Sequence, residues 1–194
     1  MTRPSYGVIV LAGRGSERLG GADKAMIGFE GSTLLDRVLD ATAGAEHVVV
    51  VGPVRPTAHA VMWCEERPVG GGPVAAFAAG LSAVPPSENV LLLASDLPFI
   101  AGAVRPLLDA LMADHDAAVL VDGDGRANYL ASAWRRSVAE DRVEVLGDPT
   151  GLPMRRLFEG IDVAEVRDTG GWGFDCDTWE SLESARQRGA TSTS

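Results

Sequence analysis

The feature that most constrains this chain is a glycine-rich segment that follows an apolar run close to the N-terminus. Residues 11–24 read Leu-Ala-Gly-Arg-Gly-Ser-Glu-Arg-Leu-Gly-Gly-Ala-Asp-Lys. Glycines let backbone N–H groups approach a ligand closely, and the start of a helix adds unpaired donors and a positive dipole. Because the segment also carries Arg14, Arg18 and Lys24, it predicts a strand followed by a loop that binds nucleotide phosphates. We expect Asp23 to orient the Lys24 ammonium group.

The spacing within this segment excludes the two commonest phosphate loops. A P-loop ends in Gly-Lys-Ser/Thr, whereas Lys24 follows an aspartate and precedes an alanine. The dinucleotide pattern G-x-G-x-x-G is only half present, because Arg18 stands where its third glycine belongs. On spacing alone, a plain structural turn remains an alternative.

Size and composition indicate one globular domain. The chain has 194 residues, 46% hydrophobic and 23% charged, and a chain of that size buries about 70% of its unfolded surface. We expect a single domain over residues 1–188 and a disordered tail over 189–194. No apolar run approaches the roughly 20 residues of a membrane span, and no secretory signal precedes the first strand, so we expect a cytoplasmic protein. Cys64 and Cys176 do not suggest a metal cluster, and a bridge between them remains open.

The net charge limits the classes of partner. A formal charge of −10 argues against non-specific binding to nucleic acid, which depends on basic patches. An acidic protein that binds an anion must concentrate cations locally, and the loop 11–24 does so. We expect neither a nucleic acid nor a membrane as a partner.

Apolar runs and helical patterns alternate along the chain. This alternation predicts an α/β fold with a mostly parallel sheet and helices on both faces, in which ligands bind at the carboxyl ends of the strands. A strong hairpin signal, Asp-Gly-Asp-Gly, lies at 122–125. Strands are predicted at 6–11, 47–51, 89–94 and 117–121, and helices at 33–43, 73–83, 104–112 and 179–188.

A single aspartate ends the hydrophobic strand predicted at 89–94. Asp96 would face the phosphate loop across the sheet edge, where a carboxylate suits a hard, oxygen-binding cation such as Mg²⁺. The alternative is that Asp96 caps the turn that follows, since aspartate is frequent before a loop that contains proline.

The glycine-rich segment resembles the signature loop of the nucleotidyltransferases with a Rossmann-like fold, most closely that of the molybdenum cofactor guanylyltransferases. That pattern is a strand followed by L-A-G-G-x-S-x-R-M-G-x-D-K. Arg14 replaces the second glycine, Leu19 replaces the methionine, and one residue is inserted before Asp23. The matching residues are Leu11, Ala12, Gly13, Ser16, Arg18, Gly20, Asp23 and Lys24. The nucleotide-binding residues that the resemblance implies in this loop are Leu11, Ala12, Gly13, Arg14, Gly15, Ser16 and Lys24.

The same resemblance implies a three-layer fold with a small antiparallel hairpin element, and it assigns a role to two acids before the helix predicted at 73–83. In the family an acid six or seven residues before a Gly-Pro turn helps to read guanine, and Glu65 and Glu66 stand at those distances. A carboxylate accepts from N1–H and the exocyclic amine of guanine together, a donor pair that cytosine and adenine lack. Gly72 would allow close approach of the backbone to base or phosphate. The alternative is a flexible surface loop with solvated acids.

A third family motif lies near the C-terminus, in Asp175-Cys176-Asp177-Thr178-Trp179-Glu180. In related enzymes an acid or amide here completes the metal shell with the aspartate at the strand end, which implies Asp177 first and Asp175 second as partners of Asp96. The alternative is N-terminal capping of the helix predicted at 179–188, by Asp177 or Thr178.

Together these motifs imply transfer of GMP from GTP to the phosphate of molybdenum-molybdopterin, with release of pyrophosphate. Lys24 and Arg18 would stabilise the phosphoryl oxygens and Asp96 would hold Mg²⁺. No general base is needed, because the acceptor phosphate is already anionic at pH 7. The implied partners are GTP, a molybdopterin-type acceptor, and molybdoenzymes or cofactor-biosynthesis proteins. Open alternatives are transfer of CMP, a sugar-phosphate or other phosphate acceptor, and a non-catalytic nucleotide-binding domain.

Overall fold

A computed structural model of the chain describes residues 5–13 and 20–191. Over these residues the chain forms nine strands, five α-helices and short 3-10 turns at Lys24–Met26 and Met154–Phe158. The strands are β1 (Tyr6–Leu11), β2 (Gly28–Phe29), β3 (Ser32–Thr33), β4 (His47–Val51), β5 (Met62–Cys64), β6 (Asn89–Ala94), β7 (Ala117–Val121), β8 (Ala127–Arg135) and β9 (Val163–Arg167). The helices are α1 (Leu34–Asp40), α2 (Pro73–Ala83), α3 (Ala101–Met112), α4 (Arg136–Leu146) and α5 (Trp179–Thr191).

Seven strands form one sheet in the order β5-β4-β1-β6-β8-β7-β9. All neighbouring pairs are parallel except those that β8 makes with β6 and β7. The predicted α/β fold with a mostly parallel sheet is therefore confirmed, and the hairpin signal at 122–125 joins β7 to β8. Strands β2 and β3 form a separate two-stranded antiparallel sheet.

The core lies on both faces of the large sheet. Side chains alternate across a strand, so Val8 and Val10 of β1 pack with α1 and α3, whereas Ile9 packs with α2 and α4 on the opposite face. Every residue of β6 is buried, which is why that strand reads as a continuous apolar run. These contacts give the three layers that the family resemblance implied.

The carboxyl ends of β4, β1 and β6 meet at one edge of the sheet. Strand β1 lies between the other two, so the connections on its two sides run toward opposite edges of the sheet. Ligands bind at such a point in open α/β sheets. The amide of Ala12 donates to Val51 O (2.9 Å), and the amide of Ser95 donates to Leu11 O (3.0 Å). The glycine-rich segment and the segment that carries Asp96 therefore leave from adjacent strands.

Three helices differ in their bounds from the predictions. Helix α1 covers Leu34–Asp40 rather than 33–43, because the chain turns at residues 41–44. Helix α3 begins at Ala101, so the expected start at 104 was wrong, and Pro106 lies inside the helix. Pro106 is the sixth residue of α3, beyond the four N–H groups that lack a helical partner, so the helix loses the hydrogen bond that an N–H at this position would make to the carbonyl of Gly102. Helix α5 continues to Thr191, which makes residues 189–191 of the expected tail helical. None of the described helices combines the length and apolar character needed to cross a bilayer. Cys64 and Cys176 are both free thiols.

Candidate active site

Three charged side chains from distant parts of the sequence meet at this sheet edge. The Lys24 ammonium group donates hydrogen bonds to Asp96 Oδ2 and to Asp177 Oδ1. Lys24 is the last residue of the glycine-rich segment 11–24, Asp96 lies two residues past β6, and Asp177 lies two residues before α5. The side chains of Lys24 and Asp96 are 17% and 14% exposed, so water screens their interaction only weakly.

Local contacts explain why the C-terminal segment reaches Asp96. The amide of Cys176 donates to the backbone carbonyl of Asp96 (3.2 Å). The Cys176 side chain is buried in a small cluster with Phe29 and Leu182, and its burial raises the pKa of the thiol to about 12. This cysteine therefore anchors the segment and leaves the aspartates on either side of it at the site.

The capping alternatives are decided by the hydrogen bonds. Thr178 is the cap of α5, because its Oγ1 accepts from the amide of Ser181 (3.1 Å). Asp177 instead contacts Lys24, as does the carboxylate of Asp96. Both aspartates are thus oriented into the site.

The electrostatics of the cluster keep Lys24 charged. Burial lowers the pKa of the Lys24 amine, but the charges and hydrogen bonds of Asp96 and Asp177 outweigh it and the net pKa is raised. The pKa of the Asp175 carboxyl group is also raised, by burial and by the nearby charges of Asp177 and Asp96, which favours its neutral form. Lys24 is also the only lysine in the chain.

The donor set fits a divalent cation. Asp96 Oδ1 is buried and has no hydrogen-bond partner among the described residues, and Asp177 presents a second carboxylate to the same ammonium group. Mg²⁺ is usually held by one or two carboxylates together with substrate phosphates and water. Over residues 5–13 and 20–191 there is no cluster of three or more acidic, His or Cys side chains suited to a metal, so Asp175 does not join the other two aspartates in such a cluster.

A cavity of about 410 Å³ opens beside Lys24. It is bounded by the ends of β1, β4 and β6 and by the start of α2, where Gly72 adopts a φ of +90° as the residue before the helix. The lining includes these residues with a predicted nucleotide or metal role: Leu11, Gly13, Lys24, Glu66, Gly72 and Asp96. Ala12 is fully buried.

The two predicted guanine-reading acids occupy different positions. Glu66 lines the 410 Å³ cavity, and its Oε1 accepts from the amide of Gly70 (2.9 Å), which fixes the orientation of the carboxylate. Glu65 is exposed and lines a neighbouring cavity of about 430 Å³, on whose wall Glu66 also lies. Of the pair, Glu66 has the better position to meet a ligand bound beside Lys24.

The expectation that Asp23 orients Lys24 was wrong. Asp23 Oδ2 instead accepts from Arg55 Nε (2.7 Å). Arg55 follows β4 and is almost completely buried, with 4% of its side chain exposed. Arg55 was not among the residues predicted from the sequence, although an arginine just after a buried strand at the ligand-binding edge is an available signal.

A second cavity of about 740 Å³ adjoins the first, and Pro73 and Leu130 line both. Its wall comes from β8, from the turn after β7 and from the segment before α5. The polar and charged side chains on that wall are Asp122, Arg126, Asn128, Tyr129, Asp168, Asp175 and Arg188. Of the other predicted site residues, Arg14, Gly15, Ser16 and Arg18 lie outside the described part of the chain.

This arrangement defines a class of enzyme. A glycine-rich segment after β1, an aspartate after the neighbouring parallel strand and a second aspartate brought in from the C-terminus are the arrangement expected of a nucleotidyltransferase. The chain belongs to the MobA-like NTP transferase family, whose domain model matches residues 8–166.

Relatives and solved structures agree with that assignment. The molybdenum cofactor guanylyltransferase of Acidiphilium cryptum is 31% identical over 172 residues, 82% of this chain and 85% of that protein. The molybdopterin-guanine dinucleotide biosynthesis protein A of Archaeoglobus fulgidus superposes with a TM-score of 0.73 at 19% identity, covering 95% of this chain and 99% of that one. A Mycobacterium tuberculosis protein solved as a complex with manganese has a TM-score of 0.67 at 20% identity, with coverage of 95% and 98%. The two structures share the fold with this chain.

Proposed function

We propose that this enzyme transfers GMP from GTP to the phosphate of a molybdopterin-type acceptor and releases pyrophosphate. An acceptor phosphate oxygen would attack the α-phosphorus of GTP, forming a new P–O bond while the bond to the β-phosphate oxygen breaks. The acceptor oxygen is already anionic, so the protein would need to position and stabilise charge rather than remove a proton.

One observation carries this proposal: the ammonium group of Lys24, held by Asp96 and Asp177 on the wall of the 410 Å³ cavity. A fixed cation beside the phosphate loop would bind the phosphates of a nucleotide that enters this cavity. Preorganised charges act strongly where water is excluded, and the low exposure of Lys24 favours such an effect. With Arg18 and the loop amides, Lys24 would stabilise the charge that develops on the phosphoryl oxygens.

The enzyme would use a divalent cation, Mg²⁺ in our proposal. Asp96 and Asp177 would hold it, with Asp175 as the further candidate that the family resemblance implied. Asp96 Oδ1, which has no hydrogen-bond partner among the described residues, and the manganese complex of the structural neighbour support a divalent cation at this site. Such an ion would supply charge neutralisation for the phosphates when it is bound.

Glu66 is our candidate for recognising guanine. Its carboxylate lies on the wall of the cavity and is oriented by the Gly70 amide. Its two oxygens could therefore accept hydrogen bonds from two adjacent N–H donors of a ligand. Guanine offers such a pair in N1–H and the exocyclic amine. Glu65 would act only if the base extends into the neighbouring 430 Å³ cavity.

The 740 Å³ cavity would take the acceptor. It adjoins the 410 Å³ cavity through Pro73 and Leu130. Arg126 and Arg188 would bind the phosphate of the acceptor, on a wall that also carries the carboxylates of Asp122, Asp168 and Asp175. Molybdoenzymes or other proteins of cofactor biosynthesis would receive the product.

The test is a comparison of donors with a defined acceptor. We expect pyrophosphate and a guanine dinucleotide from GTP, Mg²⁺ and molybdenum-molybdopterin, and much less product from CTP or ATP. Faster turnover of CTP would replace the guanylyl assignment with a cytidylyl one. Binding of GTP without turnover of any acceptor would indicate a non-catalytic nucleotide-binding domain.

A further inference from the structure

A buried arginine joins the two ends of the phosphate loop. Arg55 Nη1 donates to Ala12 O (2.7 Å) and Nη2 donates to Gly13 O (2.7 Å), at the start of the loop. Arg55 Nε donates to Asp23 Oδ2 (2.7 Å), at its end and next to Lys24. A fourth hydrogen bond, to Pro53 O (3.3 Å), holds the guanidinium to its own segment. One rigid group thus contacts both sides of the loop.

These contacts fix the direction of a peptide group at the nucleotide cavity. A trans peptide is planar, and its carbonyl and N–H point in opposite directions. Because Ala12 O points to Arg55, the N–H of Gly13 points away from Arg55, and Gly13 lines the 410 Å³ cavity. Arg55 therefore prevents the peptide from turning its carbonyl oxygen, which carries a partial negative charge, toward an anionic ligand.

The neighbouring glycine makes this close approach possible. A Cβ on Gly52 would collide with the carbonyl oxygen of Ala12 and lie 3.4 Å from Arg55 Nη1, and the residue has a φ of +143°. Glycine at this position leaves room for the carbonyl that Arg55 binds. The environment of Arg55 is thus built around the loop.

We propose that Arg55 is the positioning residue of the phosphate loop: it holds the Ala12–Gly13 peptide and Asp23 so that the Gly13 amide and Lys24 face the nucleotide. This inference rests on the proposed binding of a nucleoside triphosphate at this loop. Lysine cannot replace it, because a single ammonium group cannot bind two carbonyls and a carboxylate in the planar arrangement that a guanidinium provides.

The experiment compares Arg55→Ala and Arg55→Gln with Arg136→Ala. Arg136 is a matched control, since it also donates to backbone carbonyls, including Pro85 O (2.9 Å) and Leu81 O (3.2 Å), but at the C-terminal end of α2. We expect both Arg55 variants to bind GTP with Mg²⁺ at least roughly tenfold more weakly and to lose on the order of 10² in kcat/KM, the scale of a displacement of about 1 Å in a site. Millimolar guanidinium should restore part of the affinity for GTP and part of kcat/KM in Arg55→Ala. It should change neither quantity in Arg136→Ala.

A second readout needs no nucleotide. Because Lys24 is the only lysine, an amine-acylating reagent followed by peptide mass spectrometry reports on it alone among the side chains. We expect faster acylation of Lys24 in both Arg55 variants, slowed again by guanidinium in Arg55→Ala, and the wild-type rate in Arg136→Ala. Unchanged acylation in the Arg55 variants would overturn the role of Arg55. Failure of the wild-type protein to bind GTP would overturn the proposed function instead, and the acylation rates would still decide the question of Arg55. Arg55→Gln preserves the test if Arg55→Ala does not fold.

Discussion

The Lys24 ammonium group lies between the carboxylates of Asp96 and Asp177, so one side chain connects the phosphate loop, the end of β6 and the segment before α5. In this arrangement the ammonium group occupies the space between the two carboxylates that we propose as metal ligands. Lysine and a divalent cation would therefore compete for the same oxygens until a nucleotide offers its phosphates to Lys24.

The competition predicts that Lys24→Ala binds Mn²⁺ more tightly than the wild-type protein does when no nucleotide is present. At a separation of about 4 Å near a protein surface, one unit charge is worth about 4 kcal/mol, so we expect at least roughly a tenfold gain in affinity. Electron paramagnetic resonance of free Mn²⁺ measures it. Equal affinities would show that Lys24 does not compete with the ion. Asp96→Asn, which removes a proposed ligand, should bind Mn²⁺ more weakly than the wild-type protein and Lys24→Ala do.

Removing the ammonium group should also slow the reaction. For Lys24→Ala we expect loss of transfer on the order of 10² or more, as for other preorganised charges at an active site, with an unchanged far-UV circular dichroism spectrum. Arg105→Ala, which removes an exposed pair with Asp109 on α3, should retain the wild-type rate. Retention of that rate by Lys24→Ala would mean that this lysine serves only to hold the two aspartates.

The choice of base should depend on one glutamate of the pair. Glu66→Gln should lower the affinity for GTP by about ten- to a hundredfold, the range for hydrogen bonds to a charged group, and leave CTP nearly unaffected. Glu65→Gln is the matched control, because Glu65 is exposed and lines the neighbouring cavity. Calorimetric titration of each variant with both nucleotides measures the preference. A larger effect of Glu65→Gln would move the base into that neighbouring cavity.

The hydrogen bonds between Asp36 and the segment just after Arg55 should contribute stability that depends on pH. Asp36 on α1 accepts hydrogen bonds from Thr57 Oγ1, the amide of Ala58 (3.2 Å) and Thr33 Oγ1 (3.0 Å). Burial raises the pKa of Asp36, but these hydrogen bonds outweigh it and place the net pKa below the ordinary value of 3.8. A lowered pKa contributes stability above the unfolded value, and this contribution is lost as the pH falls through the folded value.

Asp36→Asn should melt below the wild-type protein at pH 7, by the roughly 2–4 °C that a loss of about 1 kcal/mol of hydrogen bonding causes in a domain of this size. The difference should shrink as the pH falls below 3.8. Thermal unfolding followed by circular dichroism across that range measures it. Asp109→Asn, in an exposed ion pair, should have little effect at any pH. A difference in Tm that stays constant down to acid pH would assign the loss to packing rather than to the charge.

The sequence predicted those parts of the molecule that local patterns determine. The apolar runs at 6–11, 47–51, 89–94 and 117–121 are strands with those bounds, because a strand buried on both faces has a continuous apolar signal. The placement of Asp96 at the sheet edge followed from its position after such a strand. Its meeting with Asp177 was expected from the family resemblance, since no local pattern relates residues so far apart.

Other features depend on contacts that the sequence does not encode locally. Asp23 stands next to Lys24 in the sequence, but its carboxylate pairs with Arg55, which the parallel pairing of β4 with β1 brings alongside. Asp177 or Thr178 both suited a helix cap, and only the fold decides that Thr178 caps while Asp177 contacts Lys24. Adjacent strands, rather than adjacent residues, determine these partners.

The most direct test of this account is single-turnover transfer from GTP labelled at the α-phosphate, with Mg²⁺ and molybdenum-molybdopterin, in the wild-type protein and in Asp96→Asn. We predict that the label appears in a guanine dinucleotide as pyrophosphate is released, and that Asp96→Asn remains folded and forms almost none. Transfer by Asp96→Asn at the wild-type rate, or release of labelled GMP with no dinucleotide from the wild-type protein, would contradict the proposed reaction.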